Sequence, residues 1–310
     1  MKFKELNSLD RLHFREAYQN KEITRKETQE YLSSHFEINI RTVRKWAKRL
    51  QLGLRDTIDP AKILVYDIET SRLTAKMWWT GKQYVGHNQI VQEPKIISIA
   101  WKWLGTDDVE FLTWDKNHCD KKMMQKFLKV YNEADLIVGQ NNDRFDNRWI
   151  NARAMKHDLD VNVYVKSFDI MKQTKRLFRL PSYSMGYITK YLGVTLKQSH
   201  EGIHMWDMIE DGNLSQQKEY LDKMIEYNIG DIISTEEMYL KLRKYTGHII
   251  HIGVFNGTSK YSCPNCGGSD IKLLKTTTTQ AGTIQRIMKC NECDVQFKMS
   301  NATFLKQNLK

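Results

Sequence analysis

Three short segments carry carboxylates at spacings suited to chemistry on a divalent metal. An apolar run at 63–66 ends in Asp67-Ile68-Glu69-Thr70. On a strand, alternation puts Asp67 and Glu69 on one face. Two carboxylates aimed the same way repel each other unless a positive charge sits between them, and a divalent cation is the natural partner. A second apolar run, Leu136-Ile137-Val138, leads through Gly139-Gln140-Asn141-Asn142-Asp143-Arg144-Phe145 to Asp146. Asp146 is either a further ligand or an N-terminal complement to the dipole of a helix at 147–157. In the third segment Tyr227 and Asp231 stand four apart and so share one side of a helix. A phenol there can position a water beside a metal-bound carboxylate; the plain alternative is a surface pair. Oxygen ligands suit Mg²⁺ or Mn²⁺, as thiolates would not.

The thiolates lie elsewhere. Cys263-Pro264-Asn265-Cys266 and Cys290-Asn291-Glu292-Cys293 are two C-x-x-C pairs with 23 residues between them. Four thiolates so arranged suit one closed, tetrahedral, structural zinc site. A redox pair is the lesser alternative, since a reactive C-x-x-C stands singly within a thioredoxin-like β-α-β pattern. Zinc binding contributes about 10–16 kcal/mol in small finger peptides, enough to fold a short segment with little core. Cys119 has no matching partner, and the histidines form no H-x-x-x-H cluster.

The carboxylates need a scaffold, and the middle of the chain supplies an α/β one. Strand-like runs at 63–66, 96–103, 109–114, 136–139 and 161–168 come before or between helical patterns. The longest helical stretch, 216–245, has apolar positions Leu221, Met224, Ile225, Ile229, Ile232 and Ile233 on one face. It reads as interrupted near 228–231, giving two helices or one bent one. Breaks at 53–60 and 247–262 divide the chain into three parts. Thr276 to Thr279 with Gln280-Ala281-Gly282 reads as a hairpin tip.

In the first part, Thr24-Arg25-Lys26-Glu27 has capping-box form and opens a helix to about residue 36. After a turn at 37–39, a helix at 40–52 aligns Val43, Trp46, Ala47 and Leu50 in one stripe and leaves Arg41, Arg44, Lys45, Lys48 and Arg49 on the other sides. This predicts a helix-turn-helix whose second helix enters a groove or lies along phosphates. The alternative is a helical bundle with a solvated basic face.

Charge agrees with a polyanionic partner. Of the net +11, residues 1–60 hold +4, residues 61–240 hold −1 and residues 241–310 hold +8. Basic flanks around a near-neutral body suit a catalytic domain held on nucleic acid by its appendages, with solubility as the plain alternative. Lys272, Lys275, Arg286, Lys289 and Lys298 place part of that charge between and around the cysteine pairs, for gripping nucleic acid or docking a protein. No run approaches the 18 apolar residues of a membrane span, and the start has no secretory h-region, so a soluble protein of a reducing, cytoplasmic compartment is expected.

Taken together, the series DIET, then N-x-x-x-FD, then Y-x-x-x-D resembles the three exonuclease motifs of the DnaQ-like superfamily, in its tyrosine-bearing (DEDDy) branch. The histidine branch would place His where this chain has Glu226. Residues 71–94, Ser167-Phe168-Asp169 and the segment YSMGYITKYLG at 183–193 are similar to the exonuclease domain of family B DNA polymerases and to stand-alone phage-type relatives that carry a C-terminal zinc ribbon. The resemblance covers roughly residues 62–245. Gln140 and Asn142 depart from it, standing where His and Gly are the pattern.

The resemblance implies a ribonuclease-H-like α/β domain with a mixed central sheet. It implies two Mg²⁺ or Mn²⁺ ions held by Asp67, Glu69, Asp146 and Asp231, with Tyr227 orienting the attacking water. Asn141 and Phe145 would line the channel for the terminal nucleotide, Phe145 having a core position as its alternative. Trp78, Trp79 and Tyr84 are candidates either for stacking on bases or for packing. The expected division is a helix-turn-helix at 1–58, the exonuclease domain at 59–247 and a zinc ribbon at 258–310. The expected reaction is 3′-to-5′ hydrolysis of nucleic acid, DNA ahead of RNA, in a bacterial or phage-infected cell. Length leaves no room for a polymerase domain, so proofreading would act in trans on a polymerase or other replication protein. Two alternatives stay open: an endonuclease or exoribonuclease of the same chemistry, and a non-enzymatic DNA-binding regulator that keeps the fold.

Overall fold

A computed structural model describes residues 13, 14, 17, 25–49, 61–82, 84–195 and 202–308. Its central sheet is built on β1 (Ile63–Thr70), flanked by β4 (Ile96–Trp103) and β6 (Leu136–Gly139) and completed by β5 (Glu110–Thr113) and β7 (Lys166–Asp169). The order is β5-β4-β1-β6-β7, and β2 (Thr74–Ala75) and β3 (Ile90–Gln92) pair as a separate two-stranded sheet. β1 pairs antiparallel with β4 and parallel with β6, which in turn runs parallel to β7. The sheet is mixed, as expected.

A central strand buried on both faces needs apolar residues at every position, and β1 has them up to Asp67. Alternation then sorts them. Leu64, Tyr66 and Ile68 join a core with Met123, Met124, Phe127, Leu128 and Tyr131 of α3 (Lys121–Glu133). Ile63 and Val65 join a second core with Ile232, Met238, Tyr239 and Leu242 of α8 (Leu214–Leu242). Asp67 and Glu69 share the parity of Ile63 and Val65, so they leave the sheet on the side covered by α8.

Two expectations are corrected here. The helix read as interrupted near 228–231 is one continuous run from Leu214 to Leu242. Gly230 costs about 1 kcal/mol in a helix interior, but the face carrying Met224, Asn228, Asp231 and Ile232 is buried, and that packing outweighs it. The helix is capped by Asn213, whose side chain accepts from the Ser215 and Gln216 N–H groups, and pinned to β4 by a largely buried Lys102–Glu236 ion pair at 2.5 Å. The strand expected at 161–168 begins only at Lys166. Before it the Tyr164 N–H donates to Asn162 Oδ1 at 3.0 Å, a local turn that competes with pairing.

Before the sheet, α1 (Arg25–His35) and α2 (Ile40–Arg49) enclose a small core of Phe14, Leu32, Phe36, Val43 and Trp46. Arg41 is exposed; the side chains of Arg44, Lys45, Lys48 and Arg49, the cap residue Thr24 and the break at 53–60 lie outside the described residues. At the other end β8 (Ile271–Thr278), β9 (Ile284–Cys290) and β10 (Gln296–Ser300) form a three-stranded antiparallel sheet. Its first hairpin turns at Thr279–Gly282, where expected. In the stretch at 247–262, read as loose, residues 256–260 are exposed, while Gly253 is closely surrounded: a Cβ there would stand 2.1 Å from Ser262 Oγ. No helix among the described residues is long and apolar enough to cross a membrane.

Candidate active site

Asp67 and Glu69 meet Asp231 from α8, and one carboxylate oxygen of each lies within 4.8 Å of the others. Asp231 is buried and its two neighbours are half-buried. Three carboxylates gathered this closely in a partly desolvated place suit a hard divalent cation, since proximity without one is repulsive. Asn228, on the same side of α8 as Asp231, donates Nδ2 to Asp67 Oδ2 at 2.7 Å. Tyr227 is also buried, one turn before Asp231, so the surface-pair alternative does not hold.

Asp146 stands beside this group. It is the first residue of α4 (Asp146–His157), and its Oδ1 accepts the Ile68 N–H at 3.2 Å, between Asp67 and Glu69 in the chain. Burial pushes its carboxyl up to about 7, opposed by backbone N–H bonds and reinforced by the charge of Asp169. The neighbouring Asn147 accepts a hydrogen bond from the Tyr66 hydroxyl, which ties the start of α4 to β1. Close approach matters at Gly139, where a Cβ would meet Asn142 Cβ at 2.8 Å and the Tyr66 carbonyl at 3.3 Å.

The loop from Gly139 to Asp146 is held from below by Asp169. Its two carboxylate oxygens accept the N–H groups of Asn141 and Asp143, each at 3.2 Å, and Oδ1 also caps α5 (Ile170–Leu177) through the Lys172 N–H. Asn141 adopts φ +65°, a left-handed conformation that asparagine tolerates. The two departures from the resembled pattern have structural partners: Gln140 Nε2 donates to the Tyr183 carbonyl at 2.9 Å, and buried Asn142 donates to Ser167 Oγ at 3.1 Å. Phe145 is 39% exposed, edge-on to Trp149, and therefore outside the core. Trp78, Trp79 and Tyr84 are 87%, 67% and 97% exposed, which removes the packing alternative for them.

Helix α7 (Ile203–Asp211) braces the end of β1. Trp206 Nε1 donates to the Thr70 carbonyl at 2.9 Å, and Arg72 forks onto Asp207 and Glu210. Asn228 and Asp169 are site residues that sequence reasoning missed. The only signal for Asn228 is its place three residues before Asp231; Asp169 stands out only as the acid that ends Ser167-Phe168-Asp169.

The four cysteines also converge, with ligand atoms within 4.8 Å of one another. Cys263 Sγ is 3.6 Å from Cys293 Sγ, and Cys266 Sγ is 3.7 Å from Cys290 Sγ. Zn–S bonds of about 2.3 Å in a tetrahedron require S···S edges of about 3.8 Å. A disulfide would need about 2.0 Å.

A mixed five-stranded sheet in this order, with acids on its central strand, past β6 and on a helix laid across it, is the ribonuclease-H-like arrangement. Residues 64–243 match the family model for the RNase H superfamily, and the chain belongs to that superfamily. Among solved structures it is similar to the family B DNA polymerase from the hyperthermophilic archaeon Pyrobaculum calidifontis, at 16% identity and a TM-score of 0.45, over 63% of this chain and 26% of that one. The chain thus spans about a quarter of that polymerase's length. No curated protein matches it significantly.

Proposed function

We propose that the protein is a 3′-to-5′ exonuclease that hydrolyses DNA with two divalent cations. The observation that carries this is the meeting of Asp67, Glu69 and Asp231 within 4.8 Å, from segments more than 160 residues apart. Binding alone would need none of these carboxylates. The tyrosine one turn before Asp231 and the acid Asp146 beside the group complete the set that the DEDDy resemblance implies.

Asp67, Glu69, Asp146 and Asp231 are the residues that would hold the ions. When bound, two such cations lower the pKa of a water and clamp the attacking and leaving oxygens of an in-line displacement. The protein's own contribution is positional. Asn228 fixes the Asp67 carboxylate, α7 braces the end of β1 through Trp206 and the Thr70 carbonyl, and the Tyr227 hydroxyl orients the attacking water. Asn141 and Phe145, at the rim, receive the terminal nucleotide, and nucleoside 5′-monophosphates leave. Circular and 3′-blocked substrates test the mode: both resist an enzyme that needs a free 3′ end, and nicking of the circle would make it an endonuclease.

The flanking parts serve retention on the substrate. Sulfur spacings near the tetrahedral edge support a structural zinc on Cys263, Cys266, Cys290 and Cys293, making residues 258–310 a zinc ribbon. Residues 1–58 are proposed as a helix-turn-helix that lays Arg41, Arg44, Lys45, Lys48 and Arg49 along phosphates.

A further inference from the structure

A cleft of about 520 Å³ opens between the loop that leads into Asp146 and helix α5. Arg144, Arg148, Lys172 and Lys175 line it, against only two acids, Asp143 and Asp169. Both acids are already engaged. Asp143 accepts from Ser167 Oγ at 2.6 Å and Lys172 Nζ at 2.7 Å, and Asp169 accepts three backbone N–H groups. Lys175 stands over the Tyr183 ring at 5.6 Å. Among the described residues the guanidinium groups of Arg144 and Arg148 have no acidic partner, and they stand two residues on either side of Asp146, Arg144 in the turn before α4 and Arg148 in its first turn. The positive ends of α4 and α5 add to the same field.

Two exposed arginines without carboxylate partners are the side chains best shaped for a phosphate, which they bind through paired N–H donors. Each stands two residues from Asp146 in the chain, so the cleft is built on the same loop and helix start that carry one of the proposed metal ligands. We infer that the cleft holds a backbone phosphate of the substrate strand, gripped by Arg144 and Arg148, and sets the strand's register relative to the carboxylates. This rests on the nuclease reading. It assigns these arginines to positioning, outside the reacting groups.

The test reads binding without turnover. A 5′-fluorescein single-stranded DNA is titrated without added Mg²⁺ or Mn²⁺ with wild type, with the double variant Arg144→Gln/Arg148→Gln, and with Lys126→Gln/Lys129→Gln, which removes equal charge from the exposed side of α3. Melting curves establish that all three fold. Each single-strand phosphate contact contributes about 0.7 to the slope of log K against log salt. The cleft variant should bind at least about tenfold more weakly near 0.1 M salt, with a slope flatter by about 0.7, the share of one phosphate. The α3 variant should stay within about twofold of wild type. Equal losses in the two variants, or none in either, would overturn the inference. So would displacement of the strand by micromolar thymidine 5′-monophosphate, which would assign the cleft to a mononucleotide. Since no cleavage is involved, a failure here leaves the nuclease reading standing, and a protein that grips DNA this way but never cuts it would fail only that reading.

Discussion

Asn228 Nδ2 sits 2.7 Å from Asp67 Oδ2 and so links two residues 161 positions apart in the chain. The amide approaches from the helix that also supplies Asp231, so one element both provides a carboxylate and orients its counterpart on β1. Groups that orient metal ligands typically influence affinity or activity by about 10- to 100-fold. Asn228→Leu, of similar volume, should lower kcat within that range and raise the Mn²⁺ concentration for half-maximal activity, with little change in KM for DNA. An unchanged metal requirement would reduce Asn228 to a packing residue.

Gly139 and Gly186 make a matched pair. A Cβ at Gly139 collides with Asn142 and the Tyr66 carbonyl next to Asp67, whereas at Gly186 inside α6 (Met185–Leu192) nothing lies within 4 Å. Gly139→Ala should destabilise by about 1–3 kcal/mol and reduce cleavage, because the strain falls on the strand that bears the carboxylates. Gly186→Ala should be stabilising by about 0.5–1 kcal/mol through helix propensity. Urea unfolding of the two variants beside wild type decides both.

Away from the site, Asp120 is fully buried and accepts from Arg153 at 2.6 and 2.8 Å, from the Ile96 N–H at 3.1 Å, and contacts His157 Nε2 at 2.6 Å. Burial by itself would raise its pKa, but the bonds from Arg153, His157 and Ile96 outweigh that and hold it below the ordinary carboxylate range. A depressed folded pKa contributes stability that is present above the unfolded value, about 3.9, and is lost as pH falls through the folded one. Stability should therefore drop on acidification below about pH 4. Asp120→Asn should cost about 3–5 kcal/mol at neutral pH by stranding Arg153, and should flatten that acid limb. Equal melting temperatures for variant and wild type would contradict the network's role.

The cysteine cluster predicts one zinc per chain. Cys290→Ser should abolish stoichiometric zinc, measured by metal analysis, and unfold the β8-β9-β10 sheet while the central sheet keeps its melting transition. Retained zinc at one equivalent would refute the four-thiolate site.

Much of this site could be read before the fold was known, for physical reasons. Alternation on a strand is enough to aim Asp67 and Glu69 together, and four-residue spacing is enough to place Tyr227 and Asp231 on one side of α8. The four-cysteine cluster is equally local in its spacing. Asn228 escaped notice because an amide that serves a distant carboxylate has no pattern of its own. Gly230 and its polar neighbours suggested a break in α8 because propensity is local, whereas the burial that overrides it comes from β1 and β4. The turn at Asn162 shortened β7 for the opposite reason, a local hydrogen bond winning over apolar content. Exposure of Trp78 and Trp79 was not decidable either, since an aromatic pair looks alike in a core and on a surface.

The most direct measurement is digestion of 5′-labelled single-stranded DNA, duplex DNA and RNA with Mg²⁺ or Mn²⁺, beside Asp67→Ala and an EDTA control. A DNA ladder shortening stepwise from the 3′ end, absent in both controls, is the predicted result. Full-length DNA that stays intact while bound tightly, or a ladder that survives Asp67→Ala, would contradict the assignment of catalysis to these carboxylates.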